Sequence, residues 1–210
     1  MTESNPTDLA ATRRALHGVA ELLLAGPQHR TGGRIRLRVT PGGFGTVAAP
    51  ELRVDGEDLV AGSTRVPMGG RSYTELAEAV GVEAGAPVDV YSDGSGVDPG
   101  ETVTLDPADV RTIVAAYELG DAALREFAPD TEPVLWPEHL DVAITLDEVN
   151  YGVSPGDGYL AEPYAYVGPH HPRRGAFWNA PFGATRPVAA LVDVAGALRF
   201  FREGRDRASD

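Results

Sequence analysis

Three side chains in the last third of the chain have the types and spacing that a reactive site needs: His139, Asp141 and Glu162. His139 and Asp141 are two residues apart, so on a β-strand their side chains project from the same face. A returning strand over residues 160–167 that pairs with the first would bring Glu162 beside them. One imidazole with two carboxylates suits a divalent metal ion, whereas a carboxylate that orients a histidine suits acid–base catalysis. The three residues are therefore candidates for catalytic residues and for metal ligands.

The same trio also fits an ordinary solvated strand face. Polar residues alternate with apolar ones on any half-buried strand, so this spacing is not diagnostic of a metal or catalytic site. The sequence leaves both interpretations open.

Aromatic side chains concentrate in the same part of the sequence and suggest a ligand-binding pocket. Aromatic rings combined with a few hydroxyl and amide groups commonly line and orient small ligands. The candidates for such contacts are Trp136, Tyr151, Tyr164, Tyr166, Trp178 and Asn179. Large side chains that fill the join between a sheet and a loop would produce the same pattern, as would an aromatic surface that binds a protein partner.

One motif resembles that of a serine hydrolase. Residues 152–156 read Gly-Val-Ser-Pro-Gly and match the Gly-x-Ser-x-Gly pattern of the nucleophile elbow. In the elbow, the residue after the serine donates its backbone N–H to the oxyanion. Pro155 has no N–H and disfavours helical geometry at Ser154. We therefore predict a turn-rich loop here and no nucleophile.

Composition excludes several classes of chemistry. The 210 residues include no cysteine, and all 18 basic residues are arginine. Disulfides, thiolate nucleophiles, lysine Schiff bases and the lysine of a phosphate-binding loop are therefore ruled out. The formal net charge of −13 opposes binding to nucleic acid and to acidic membrane surfaces, and we predict neither partner.

Localisation and cofactor needs are predicted from what the sequence lacks. It shows no basic-then-apolar signal segment and no run of about 18 apolar residues, which predicts a cytoplasmic protein without a membrane span. No cofactor is predicted, although the trio leaves a divalent metal possible. A small polar molecule is the partner that the aromatic residues favour.

Capping and periodicity predict four helices. The first starts at Thr7 or Asp8 and stops at Gly26-Pro27, because proline interrupts helical hydrogen bonding, and residues 28–33 then form a loop. The others cover approximately residues 73–80, 107–129 and 188–203. The charged residues 205–210 are predicted to be a disordered tail.

Alternating apolar residues and turn signals predict strands joined as hairpins. Asp55-Gly56 suits the centre of a type I′ turn that would pair Arg53 with Asp58. Farther along, strict alternation predicts one strand that begins at Trp136 and carries His139 and Asp141 on its polar face.

These elements predict an α+β fold, in which a mainly antiparallel sheet of hairpins packs against three to four helices. Residues 1–204 are predicted to form a single domain, and 129–133 is the best candidate for a subdivision.

Five blocks of sequence support a resemblance to a known group of proteins. They are TPGGFGT (40–46), WPEHLD (136–141), YGVSPGD (151–157), EPYAYVGP (162–169) and FWN (177–179). Together they resemble an uncharacterised protein family of high-GC bacteria. The resemblance covers most of the chain and implies no activity, ligand or catalytic residue.

The leading hypothesis from the sequence is a protein that binds a small polar ligand in an aromatic, histidine-containing pocket in its last third. The first alternative is a metal-dependent or acid–base enzyme that uses His139, Asp141 and Glu162. The second is a module that binds another protein.

Overall fold

The computed structural model describes residues 6–92 and 94–209, and it shows an α+β fold built on one ten-stranded sheet. The strands are β1 Leu37–Thr40, β2 Gly43–Thr46, β3 Leu52–Asp55, β4 Asp58–Ala61, β5 Thr64–Pro67, β6 Val134–Trp136, β7 Asp141–Leu146, β8 Val149–Ser154, β9 Tyr164–Pro169 and β10 Ala184–Pro187. Their order is β10-β9-β8-β7-β6-β1-β2-β3-β4-β5, and every neighbouring pair is antiparallel. The predicted fold class is confirmed.

Helices cover one face of this sheet. They are α1 Pro6–Gly18, α2 Gly26–Gly32, α3 Tyr73–Val80, α4 Pro107–Phe127, α5 Val188–Leu191 and α6 Val194–Ser209. A π-helical segment, Val19–Ala25, joins α1 to α2. All seven residues of that segment are buried.

The predicted stop of the first helix at Gly26-Pro27 is wrong, because the π-helical segment leads directly into α2. The Gly26 N–H donates to the Glu21 carbonyl five residues earlier, and Pro27 then occupies the start of α2, where a missing N–H costs little. Packing also requires a glycine here, since a Cβ on Gly26 would lie 1.7 Å from the carbonyl oxygen of Gly85. The predicted loop over residues 28–33 is therefore helical up to its last residue.

Two glycines allow the long helices to pack closely against the sheet. A Cβ on Gly120 of α4 would lie 2.8 Å from Val153 and 2.9 Å from Val142. A Cβ on Gly204 of α6 would lie 2.6 Å from Val167 of β9. The even-numbered residues of β7 and the odd-numbered residues of β8 therefore face the helices, and their neighbours face away.

The last predicted helix is divided in two. Val192, with φ +70°, separates α5 from α6. α6 then continues to Ser209, so residues 205–209, predicted to be disordered, are helical. Arg205 lies 5.1 Å from the ring centre of Phe127, and a guanidinium stacked on an aromatic face helps to hold this end in place.

The β3–β4 hairpin forms, but in a different register. Asp55 pairs with Asp58 and Arg53 with Val60, so the predicted Arg53–Asp58 pairing is wrong. Gly56, with φ +60°, is the first central residue of the turn, which is the position where a type II′ turn needs glycine.

β1 and β6 join the two halves of the sheet, which are β1–β5 and β6–β10. Their pairing places Leu37 opposite Leu135, and both side chains are buried. α4 contacts β1 as well as β7 and β8. One sheet therefore includes strands from both sides of residues 129–133.

Candidate functional site

A cavity of about 820 Å³ opens at the end of the sheet where β7 begins, β8 ends and β9 begins. α1, residues 94–95 and the loops that flank these strand ends also contribute to its wall. Its charged and hydroxyl-bearing lining residues are Arg13, Arg14, His17, Ser95, Glu138, His139, Asp141, Ser154, Asp157, Tyr164 and Tyr166. We call it the Asp141 cavity.

Asp141 begins β7 and is only 7% exposed. Its Oδ2 accepts a hydrogen bond from the Tyr166 hydroxyl, whereas its buried Oδ1 has no hydrogen-bond partner among the described residues. Burial raises the pKa of Asp141 to about 6, although the Tyr166 hydrogen bond and the proximity of His139 favour the ionised form. A buried acceptor without a partner is costly, so Oδ1 gains from any donor that enters the cavity.

Gly152 allows Tyr166 to reach Asp141 across β8. Tyr166 pairs with Gly152, which pairs with Ala143 of β7, so Asp141 and Tyr166 share the face that points away from α4. The Tyr166 ring lies over Gly152, where a Cβ would be 2.6 Å from the phenolic oxygen. A side chain at position 152 would displace the ring that holds Asp141.

The predicted continuous strand from Trp136 through Asp141 is wrong. Trp136 ends β6 and pairs with Asp141 across a hairpin, and residues 137–140 form the turn between them. Leu140, with φ +53°, completes this turn, and its carbonyl accepts a hydrogen bond of 2.7 Å from the buried Tyr117 hydroxyl. His139 therefore lies in the turn and not on the strand face.

The turn supplies two ionisable side chains to the cavity. Glu138 is half-buried, and its Oε2 is buried without a hydrogen-bond partner in the part of the chain that the structure describes. His139 is exposed at the cavity wall. Glu138 and Asp141 thus line one cavity, and each has one buried carboxylate oxygen without a described partner.

α1 contributes His17 and Arg13, which are one helical turn apart. Burial lowers the pKa of His17, and its Nε2 lies 2.7 Å from the Pro137 carbonyl oxygen, so the neutral ring donates this hydrogen bond. Arg13 donates to the Ala161 carbonyl at 3.1 Å. The helix is thereby tied to both loops that border the cavity.

Carboxylates exceed available cations around the Asp141 cavity. Glu138, Asp141 and Asp157 line it, whereas Arg14 is paired with Glu101 at 2.7 Å. Arg13 is the second lining arginine. When Asp141 is ionised, the described lining therefore carries more negative than positive charge.

Aromatic rings form a series that leads from the surface to Asp141. Ring centroids are 5.2 Å apart for Phe182 and Tyr159, 6.5 Å for Tyr159 and Tyr164, and 6.4 Å for Tyr164 and Tyr166. Phe182 is 42% exposed and Tyr159 47%, whereas Tyr164 is buried. Phe182 lines the cavity, and the exposed Tyr159 ring packs between Phe182 and Tyr164.

Glu162 does not join His139 and Asp141. The returning strand begins at Tyr164 and not at residue 160, which leaves Glu162 exposed in the preceding loop beside a different cavity. Within residues 6–92 and 94–209, no group of three or more His, Asp or Glu side chains could hold a metal ion. The predicted three-residue metal site is not assembled.

The predicted ligand-binding aromatics separate into two groups. Tyr164 and Tyr166 line the Asp141 cavity. Tyr151 is 1% exposed and packs on the rings of Phe127 and Phe201 at the helix-facing side of the sheet. Tyr151 is therefore a core residue.

The remaining three predicted residues lie outside the lining of this cavity. Trp136 is half-buried at the end of β6. Trp178 packs edge-to-face on Phe177 at 4.9 Å, and the Asn179 side chain exchanges two hydrogen bonds with the backbone of Thr185. Trp178 and Asn179 thus stabilise the loop before β10.

The segment around Ser154 is not a nucleophile elbow. Ser154 ends β8, and its Oγ accepts a hydrogen bond of 3.1 Å from the Gly156 N–H. Gly156 has φ +99°, and no helix follows it, as Pro155 led us to predict.

Arg13, His17 and Gly152 were missed as site residues because their roles depend on contacts between distant parts of the sequence. Arg13 and His17 lie more than 100 residues before Asp141. Their spacing of four does place them on one helix face, but that pattern is common on solvated helices.

A second cavity, of about 810 Å³, is lined mainly by aliphatic side chains of α4, α5 and the loop before β9. Val192 borders it and is 84% exposed. We call it the aliphatic cavity.

None of the helices over residues 6–92 and 94–209 has both the length and the apolar character that crossing a membrane requires. Comparison with protein-family models, with curated proteins and with solved structures finds no match for this chain.

Proposed function

We propose that the protein binds a small polar molecule in the Asp141 cavity. The observation that carries this proposal is the buried carboxyl of Asp141, a residue that lines the cavity and whose Oδ1 has no described partner. Buried polar atoms in native proteins almost always have hydrogen-bond partners, so such an atom at a cavity wall indicates a place for a ligand or water. We also propose that the protein is located in the cytoplasm.

The size and polarity of the cavity support a ligand. A volume of about 820 Å³ is in the range of small-molecule sites. The Tyr166–Gly152 arrangement holds the Asp141 carboxyl in one position, and the hydrogen bonds of His17 and Arg13 fix the opposite wall. Such preorganisation reduces the entropy cost of binding.

A thermal-shift screen of a ligand library against wild type and two variants tests the proposal. Asp141→Asn removes the charge at the cavity, and Asp147→Asn makes the same change in an exposed turn at the other end of β7. We expect compounds that raise the Tm of wild type and of Asp147→Asn but not of Asp141→Asn. The absence of any compound with this pattern would rule out a ligand site at Asp141.

Acid–base catalysis is the second candidate function. The pKa of about 6 at Asp141 lies in the range where a carboxyl can both accept and release a proton near neutral pH. His139 lines the same cavity, whereas Glu162 does not. Incubation with a metabolite extract, followed by mass spectrometry, should then show a substrate consumed by wild type and untouched by Asp141→Asn.

A further inference from the structure

We infer that the ligand of the Asp141 cavity is a small organic cation with N–H donors, such as a primary ammonium compound, held by the carboxylates of Asp141 and Glu138 and by the aromatic rings beside them. This inference rests on the proposed function and specifies the chemical class of its ligand. Three features of the cavity support it.

The first feature is the set of hydrogen-bonding atoms that lack partners. Oδ1 of Asp141 and Oε2 of Glu138 are buried and have no described partner, and both residues line the same cavity. Ionised carboxylates only accept hydrogen bonds, whereas an ammonium group only donates them. A charge-assisted N–H···O bond to each oxygen would satisfy both atoms at once.

The second feature is the distribution of charge. Asp157 adds a third carboxylate, and the Arg14 guanidinium is already engaged by Glu101. An anionic ligand would have to rely on Arg13 while facing three carboxylates. A cation is attracted to those carboxylates and also reduces the repulsion among them, so both effects favour its binding.

The third feature is the aromatic series. Phe182, Tyr164 and Tyr166 line the cavity, and the exposed Tyr159 ring packs between Phe182 and Tyr164. The faces of aromatic rings attract organic cations, and a ring also packs on the carbon chain that carries the charge. An inorganic cation fits less well, because no metal-binding group of three His, Asp or Glu side chains exists among the described residues.

Two matched series of compounds test the inference. The first is butylammonium, butan-1-ol and butyrate, and the second is phenethylammonium, 2-phenylethanol and phenylacetate. Each series keeps the carbon skeleton and changes the head group from cation to neutral to anion. Affinities are measured at pH 7.5 by ligand-observed NMR titration of the full chain.

We expect each ammonium compound to bind at least about tenfold more tightly than its alcohol, with no binding of the carboxylates. Asp141→Asn should lose at least about tenfold in ammonium affinity, Glu138→Gln a smaller amount, and Asp147→Asn nothing. The comparison of head groups uses wild type alone, so it remains informative even if a variant does not fold.

Failure of this inference is distinguishable from failure of the proposed function. Equal or tighter binding of an alcohol or a carboxylate, lost in Asp141→Asn, would overturn the cationic class and leave the ligand site standing. No binding of either ammonium compound would also overturn the cationic class. The proposed ligand site itself would be ruled out only if no compound in the thermal-shift library showed binding that depends on Asp141.

Discussion

The Asp141 cavity and the aliphatic cavity have almost the same volume, about 820 and 810 Å³, and very different linings. α1 and the loop between β8 and β9 border both of them. One cavity contains carboxylate oxygens that lack described partners, whereas the other offers mostly aliphatic surface. The comparison teaches that volume alone does not distinguish the two cavities, and that the proposed ligand site depends on hydrogen-bonding atoms without described partners.

The largest expected effect is a pH dependence that belongs to the Asp141 cavity. The pKa of Asp141 is about 6 in the folded protein, against about 3.9 for an unfolded aspartate, so between these pH values only the folded state keeps the proton. The protonated Asp141 therefore contributes to the free energy of unfolding below about pH 4. This contribution, on the order of 3 kcal/mol, is lost as the pH rises through 6.

Urea unfolding of wild type and Asp141→Asn at pH 4 and pH 7.5 measures this effect. The free energy of unfolding of wild type, relative to the variant, should fall between the two pH values. The other ionisable groups that face Asp141 are Arg13, His17, Tyr117, Glu138, His139, Asp157, Tyr164 and Tyr166. Subtracting the variant removes their separate titrations, including that of His17, which has the opposite sign. A constant difference would contradict a buried, ionisable Asp141.

The second prediction concerns a variant that changes the shape of the Asp141 cavity without altering its charges. In Gly152→Ala the new Cβ meets the Tyr166 ring, so we expect a loss of about 1–3 kcal/mol in unfolding free energy and weaker butylammonium binding. Gly158→Ala is the matched control, because Gly158 is exposed and a Cβ there has no neighbour within 4 Å among the described residues. Equal stability of the two variants would show that the ring does not need glycine beneath it.

The third prediction concerns the aliphatic cavity. Val192 has φ +70° and ψ −49°, and the Asp193 N–H donates to the Leu191 carbonyl at 2.8 Å, which describes a strained γ-turn. Val192→Gly should raise the free energy of unfolding by about 0.5–1 kcal/mol, because the strain is relieved and an exposed side chain loses little packing.

Thermal unfolding checks the Val192 variant, and butylammonium titration should give the wild-type affinity. A lower Tm would show that the packing of the Val192 side chain stabilises the fold by more than the strained backbone at this residue destabilises it. A changed affinity would show that the two cavities are coupled.

The smallest effect is expected at the Arg14–Glu101 ion pair. Both side chains are about half exposed, so Arg14→Ala should change the unfolding free energy by about 0.5 kcal/mol or less. Ammonium affinity should stay within about twofold, because Arg14 is already neutralised. A large gain in ammonium affinity would show that Arg14 acts on the cavity as a free cation.

Local signals predicted the parts of the fold that local physics controls. Ser72 and Glu75 form the capping box that starts α3, and Asp106 caps α4 through the N–H groups of residues 108 and 109. The turn signal at 55–56 marks a hairpin in the observed sheet, although its register differs from the predicted one. Capping and turn geometry need only neighbouring residues, so the sequence displays them directly.

The remaining differences come from contacts that no short window contains. Gly26-Pro27 has the sequence of a helix stop, yet the close approach of Gly85 selects a glycine inside a continuous helix. Leu140 carries no turn signal, yet its left-handed conformation moves His139 off the strand. Asp141 was identified by its type, but its lack of a partner follows from burial that only the fold creates.

The narrow join between β1 and β6 has a consequence for how the molecule opens. One residue pair, Leu37 with Leu135, carries the backbone ladder there, so the strands resist separation less at this line than within either half. α4 contacts β1 as well as β7 and β8 and therefore also connects the two strand groups. We therefore expect amide hydrogens of the two strand groups to exchange with solvent as two cooperative units, linked through one helix.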